Sequence, residues 1–214
     1  MAQFLRDPAV LQADIIAVQE PWKNPYSDTT HHPAFGSHQI LYPSASDIGD
    51  QRARVAFYVS RKINPRTWRH TVHSADCQEL ELQVQGRKLQ IFNIYNPGPW
   101  DTNRADTVEL LDRVVAPKGD HIILGDFNLH HPAWSERDAH ADPSQTDQTT
   151  TTNIDTDETG RDRRTRTDRR APQLLEFTDS RLLDLWLEPG MVTRDWNNHR
   201  STIDLVFGAQ SLVD

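Results

Sequence analysis

Asp126 and Asn128 stand two residues apart in Gly125-Asp126-Phe127-Asn128, directly after the apolar run His121-Ile122-Ile123-Leu124. At that spacing an extended chain can aim both side chains to one side. The carboxylate can hold a cation or accept a proton, and the amide can donate to an oxyanion. That pairing suits metal-assisted hydrolysis of a phosphate ester. Asp, Asn and Gly are also turn formers, so the tetrapeptide alone reads equally well as a strand ending in a turn. Glu20 closes a second apolar run, Asp14-Ile15-Ile16-Ala17-Val18-Gln19-Glu20, and Pro21 forbids further ladder pairing. A carboxylate there can bind a hard cation such as Mg²⁺, which takes one or two protein carboxylates and keeps several waters. Tyr95 ends Ile91-Phe92-Asn93-Ile94-Tyr95 before Asn96-Pro97-Gly98-Pro99, where its phenol can donate to a phosphate. Asp204 interrupts Ser201-Thr202-Ile203-Asp204-Leu205-Val206-Phe207, and a carboxylate inside an apolar strand needs a partner. Singly, Glu20 is a solvated strand terminus and Tyr95 an aromatic at a sheet end. Together, they are strands that each bring a polar group to an end or a break.

The elements that must position these groups follow from periodicity. Residues 2–12 read as an amphipathic helix with Phe4, Leu5, Val10 and Leu11 on its apolar side. Strands are expected at Ile15–Gln19, Ile40–Tyr42, Val55–Ser60, Thr67–Val72, Glu79–Gln85, Leu89–Tyr95, His121–Leu124, Leu183–Trp186 and Thr202–Phe207. Gly125 reads as the point where its strand stops. In Glu79–Gln85 the leucines and Val84 alternate with Glu and Gln, which predicts one wet face. Gly86-Arg87 makes a hairpin. A helix over Arg104–Val115 is capped by Asp101 or Thr102, and another spans Ala171–Ser180 with Pro172 in its first turn. Hairpins and helices in this order predict an α/β architecture, two sheets packed face to face with helices outside.

Residues 142–170 break the pattern. Four consecutive Thr, Thr149 to Thr152, are followed by a stretch with almost no apolar residue except Ile154. Such a segment cannot bury enough surface to offset its ordering entropy, and it reads as a disordered polar insertion. Its second half, Arg161 to Arg170, carries six Arg. It reads either as a solvated low-complexity run or as an arm that touches DNA phosphates.

Composition narrows the classes. The 214 residues suit one domain, and mean hydropathy is -0.71 with 36% hydrophobic residues. The single Cys77 excludes an internal disulfide and fits a reducing compartment. No apolar run approaches the roughly 18 residues of a membrane span. A net charge of -8 opposes generic nucleic-acid affinity, although a local basic groove matters more than the sum. His31-His32 and His130-His131 are adjacent pairs in polar loops, and no Cys or third His stands at zinc spacing.

The order Val18-Gln19-Glu20, Asn93-Ile94-Tyr95, Gly125-Asp126-Phe127-Asn128 and Ser201-Thr202-Ile203-Asp204 resembles the endonuclease/exonuclease/phosphatase superfamily. With the extension Asn128-Leu129-His130-His131-Pro132-Ala133-Trp134, it resembles the endonuclease domain of non-LTR (LINE-type) retrotransposon polyproteins. The resemblance covers about residues 1–140 and 171–214. It implies a four-layer α/β sandwich of two mostly antiparallel sheets, and a Mg²⁺-dependent endonuclease in which Mn²⁺ can substitute. Such an enzyme nicks DNA for target-primed reverse transcription, in the nucleus, beside a downstream reverse transcriptase and without a membrane. Glu20 would hold the metal, Tyr95 the phosphate, and Asp126 and Asn128 the attacking water. Asp204 would orient a His. An opening strand bearing an Asn and a closing Ser-Asp-His segment, usual in the family, have no match here. The resemblance therefore implies a domain truncated at both ends and weak or inactive as it stands. Two alternatives remain: a non-catalytic remnant of a decayed element, and a phosphatase acting on a lipid headgroup.

Overall fold

Three apolar clusters, separated by two sheets, define the layers. The computed structural model describes residues 3–21, 34–98, 101, 105–135, 168–196 and 199–213. The smaller sheet is antiparallel in the order β1-β3-β2, from β1 (Ile15–Gln19), β2 (His38–Leu41) and β3 (Val55–Ser60). The larger sheet is built from β4 (Trp68–Ser74), β5 (Cys77–Val84), β6 (Arg87–Tyr95), β7 (Asp120–Asp126), β8 (Leu183–Leu185) and β11 (Asp204–Ala209). Its order is β4-β5-β6-β7-β11-β8, antiparallel except for the parallel β6–β7 pair. A separate hairpin pairs β9 (Arg194–Trp196) with β10 (His199–Ser201).

Between the sheets, Leu41, Phe57 and Val59 of the smaller meet Leu80, Leu82 and Ile91 of the larger. The larger sheet's outer face buries Phe92, Ile94, Ile123, Leu205 and Phe207 under α3 (Thr107–Val114) and α5 (Ala171–Ser180). The smaller sheet's outer face buries Ile16, Val18 and Tyr58 under Leu5 and the short α1 (Pro8–Leu11). This is the four-layer sandwich expected from the sequence. Asn93, fully buried, ties the sheets: its Oδ1 accepts from Gln19 Nε2 at 2.6 Å and its Nδ2 donates to Ala56 O at 2.9 Å.

Several local expectations are corrected. The amphipathic helix of residues 2–12 is a 3-10 turn, Phe4–Arg6, followed by α1. Pro8 supplies no N–H, so a new helix starts there, with Asp7 accepting from Ala9 N at 2.8 Å. α3 is capped by Asp106, not by Asp101 or Thr102. Gly125 does not end its strand. β7 continues through Asp126, and at Gly125 (φ 146°) a Cβ would overlap the Ile94 carbonyl. Only glycine permits that approach of parallel neighbours. The wet face of β5 holds from its middle onward, where Glu81 is half-buried and Gln83 exposed, but fails at Glu79, which is buried. The expected insertion at 142–170 lies outside the described residues up to position 167. Its last three residues belong to the fold. Asp168 N donates to His130 O at 2.8 Å, and Arg170 reaches Asp106 at 2.9 Å. The short α2 (Ala45–Ile48), α4 (Pro132–Ser135) and the β9–β10 hairpin were not foreseen.

Candidate active site

Strand register alone brings three of the expected residues together. Tyr95 is the β6 partner of Asp126 on β7, and Asp126 is the β7 partner of Asp204 on β11. Residues in register on neighbouring strands share a face. This face is the one turned toward the smaller sheet, since Leu124 and Ile122, in phase with Asp126, line the inter-sheet core. A Tyr, an Asp and an Asp therefore form a row across the sheet end, with neighbouring strands about 4.8 Å apart.

Glu20 and Asn128 complete the group from chain segments that leave the ends of β1 and β7. Asn128 follows a tight turn in which its N–H donates to Asp126 Oδ1 at 3.0 Å. Its amide Nδ2 donates to Asn96 O at 3.0 Å. Glu20 N–H donates to Arg54 O at 2.7 Å, so β1 holds on to β3 one residue past its end. Glu20 and Asn128 both have positive φ, 47° and 48°. Left-handed backbone is costly for a residue with a Cβ, and such strain clusters at functional sites.

The electrostatics are those of crowded acids. Burial, Asp204 and Glu20 push the Asp126 carboxyl up to about 7, against the opposing hydrogen bond from Asn128 N and the charge of Arg194. Burial also raises Asp204, with Thr193 and Arg194 acting in the other direction. Burial, then Glu20 and Asp126, raise the Tyr95 phenol, offset by Arg54 and the Asn128 amide. The register brings Tyr95, Asp126 and Asp204 together, and Glu20 acts on both Tyr95 and Asp126.

Supporting residues escaped the sequence reading. Asn96, fully buried, donates from Nδ2 to Phe127 O at 2.9 Å and accepts from Thr107 N at 3.1 Å, fixing the loop that carries Asn128. Thr193 Oγ1 accepts from Ile203 N and Asp204 N, each at 3.0 Å. Arg54 lies over the Tyr95 ring, 4.2 Å from its centroid. A polar residue next to a motif is a common sight, so nothing in the sequence marked them. The His-His-Pro-x-Trp extension is scaffolding here. Trp134 is fully buried and donates to Leu129 O at 3.0 Å, while His131 Nδ1 accepts from Ala133 N at 3.1 Å.

The donor set suits a hard cation. It offers carboxylate, amide and phenol oxygens, and like-charge crowding that a cation relieves. Among the described residues no group of three or more His, Cys, Asp or Glu is placed to hold a metal ion.

Comparison with known proteins agrees with this fold. The endonuclease domain of TRAS1, a telomere-specific non-LTR retrotransposon, superimposes with a TM-score of 0.63 at 17% identity, covering 100% of this chain and 80% of that one. The AP endonuclease LMAP of Leishmania major gives 0.58 at 13%, covering 99% and 74%. The APE2 catalytic domain of Xenopus laevis gives 0.56 at 17%, covering 96% and 76%. At these identities the likeness is one of fold. No curated protein sequence matches the chain. The sequence profile described as endonuclease-reverse transcriptase matches residues 89–214, more than half of the molecule. The chain belongs to the endonuclease-reverse transcriptase family, within the endonuclease/exonuclease/phosphatase superfamily.

Proposed function

We propose that the chain is a divalent-metal-dependent endonuclease domain that nicks DNA beside a reverse transcriptase, as in non-LTR retrotransposons. The observation that carries this reading is the in-register row Tyr95–Asp126–Asp204, with Glu20 and Asn128 beside Tyr95 and Asp126. Mg²⁺, or Mn²⁺ in its place, fits at Glu20 and would offset phosphodiester charge and stabilise the leaving oxygen. The chain's own residues do the rest. Tyr95 donates its hydroxyl proton to a non-bridging phosphate oxygen. Asn128, already tethered to Asn96, has an amide proton and its Oδ1 free in geometry to orient a water and a phosphate oxygen. Asp126, raised to about 7, accepts the water's proton near neutral pH, where a general base works best. Asp204 keeps Asp126 there by like-charge proximity. It also has a lone pair available to orient a histidine, the role expected of it from the family.

The test combines cleavage with ion binding. Under single-turnover conditions the chain should convert supercoiled plasmid to open circles only slowly in Mg²⁺ or Mn²⁺, and not at all in EDTA. Mn²⁺ binding followed by electron paramagnetic resonance should weaken in Glu20→Gln. Nicking that persists in EDTA, or that survives Asp126→Ala, would sink the mechanism.

A further inference from the structure

The geometry points to Arg54 as a positioning residue of the active site, one that, braced by Asp76, holds the Tyr95 ring at the angle from which its hydroxyl meets a phosphate. The inference rests on the nuclease reading above and adds a residue to it.

Arg54 closes a ring of contacts that spans both sheets. Its Nε donates to Asp76 Oδ1 at 2.9 Å and a terminal nitrogen donates to Oδ2 at 3.3 Å, a two-pronged pairing. Asp76 is itself fixed: its carbonyl accepts the Tyr95 N–H at 2.8 Å, and Ala75 O accepts the Arg54 N–H at 2.8 Å. The same guanidinium carbon sits 4.2 Å from the Tyr95 ring centroid. The Arg54 carbonyl receives the Glu20 N–H at 2.7 Å. One residue thus touches the segment that carries the expected metal ligand and the ring that carries the expected phosphate donor.

A fold needing only an ion pair here has no use for this arrangement. The planar fork can engage Asp76 with two prongs while its flat face lies on an aromatic ring, and an ammonium cannot do both. Stacking of this kind, partly desolvated, favours one ring orientation several-fold. The Arg54 and Asp76 side chains are 13% and 8% exposed, so water competes little. A third contact, to Asp101 at 3.2 Å, is single-pronged and at a more open residue. It anchors the outer side of the guanidinium without tilting it off the ring.

The test uses Arg54→Lys, which keeps the charge, and the double variant Arg54→Gln/Asp76→Asn, which removes the buried Asp76 carboxylate together with its partner. With 3-fluorotyrosine at position 95, ¹⁹F NMR at neutral pH should show one held ring environment in the parent protein. In both variants it should show exchange between two. In single-turnover nicking, both variants should lose about tenfold in the maximal rate with little change in the DNA concentration at half-maximal rate, as expected when only transition-state contacts are lost. In a Tyr95→Phe background the further loss should shrink to about twofold, because the hydroxyl being positioned is gone. An unchanged ¹⁹F spectrum overturns the proposal, as does full rescue by Lys or an undiminished loss in the Tyr95→Phe background. If the parent chain fails to nick, the nuclease reading falls while the NMR arm still decides whether Arg54 orders the ring.

Discussion

The larger sheet carries a buried polar cluster on each face, and the two are opposite in temperament. On the outer face, Glu79 accepts from His73 Nε2 at 2.9 Å and from Gln90 Nε2. His73 lies stacked on Phe92, and Phe92 meets His121 edge-on. Burial acts to raise the Glu79 carboxyl, but these donors prevail and hold it below the usual range. On the inner face, at the strand ends, Asp126 has carboxylates for neighbours, and burial and charge drive it up to about 7. One strand pair, β5–β6, supplies Glu79 and Gln90 to the first cluster, and β6 and β7 supply Tyr95 and Asp126 to the second. The difference lies in whether the charge is answered. An answered charge is architecture. An unanswered one is a standing electrostatic debt that a cation or a proton settles, and it is the mark of a site built for chemistry.

Mutation should separate the two faces. The largest effect is expected at the inner one: Asp126→Ala or Asn128→Ala should lower single-turnover nicking by about 10²–10⁴-fold, the range of a lost general base, with the thermal transition unmoved or raised. Since water alignment and phosphate positioning act as a unit, the double variant should be scarcely worse than either single one. Additive losses would break the assignment of both residues to one step.

The outer face should answer in stability. Glu79→Ala strands the donors of His73 and Gln90 and should cost about 2 kcal/mol in urea denaturation, with the nicking rate per folded molecule intact. A normal denaturation midpoint with impaired cleavage would reverse the roles of the two clusters.

The smallest effect is in pH. Asp126 has a folded value of about 7 against an ordinary 3.8. Between those values the folded state keeps a proton that the unfolded state releases, so this group's contribution falls as pH rises and is least favourable above about 7. Asp126→Asn should therefore raise the melting temperature near pH 8, with the gain fading toward pH 4. Saturating Mg²⁺ should shrink the gain. A gain that grows on acidification would contradict the crowding of Asp126.

The site was legible in the sequence to the extent that it is local. Apolar runs that end in a polar side chain betray Glu20, Tyr95 and Asp126, and a run broken by one betrays Asp204, which is where β11 begins. The central strands were readable for the same reason. What tertiary packing decides was not. The wet face expected on β5 fails at Glu79 alone, because His73 and Gln90 of the neighbouring strands close over its carboxylate. Gly125 looked like a stop, yet it is a continuation, because its meaning depends on a carbonyl of another strand. Arg54, Asn96 and Thr193 act through partners far along the chain, as in the contact of Arg54 with Tyr95, and no local pattern announces such a partner.

The left-handed backbone at Glu20 and Asn128 has a consequence for how copies of this chain would diverge. Glycine accepts that conformation freely, so replacement by glycine at either position relieves the fold while erasing a functional side chain. Gly125 is the reverse case, since any side chain there collides with Ile94 whether or not the protein cuts anything. In a lineage that has stopped cleaving DNA, positions 20 and 128 should drift to glycine early, Glu20 first because asparagine tolerates positive φ better, while position 125 stays fixed. The three positions together amount to a record of use, readable from sequences alone.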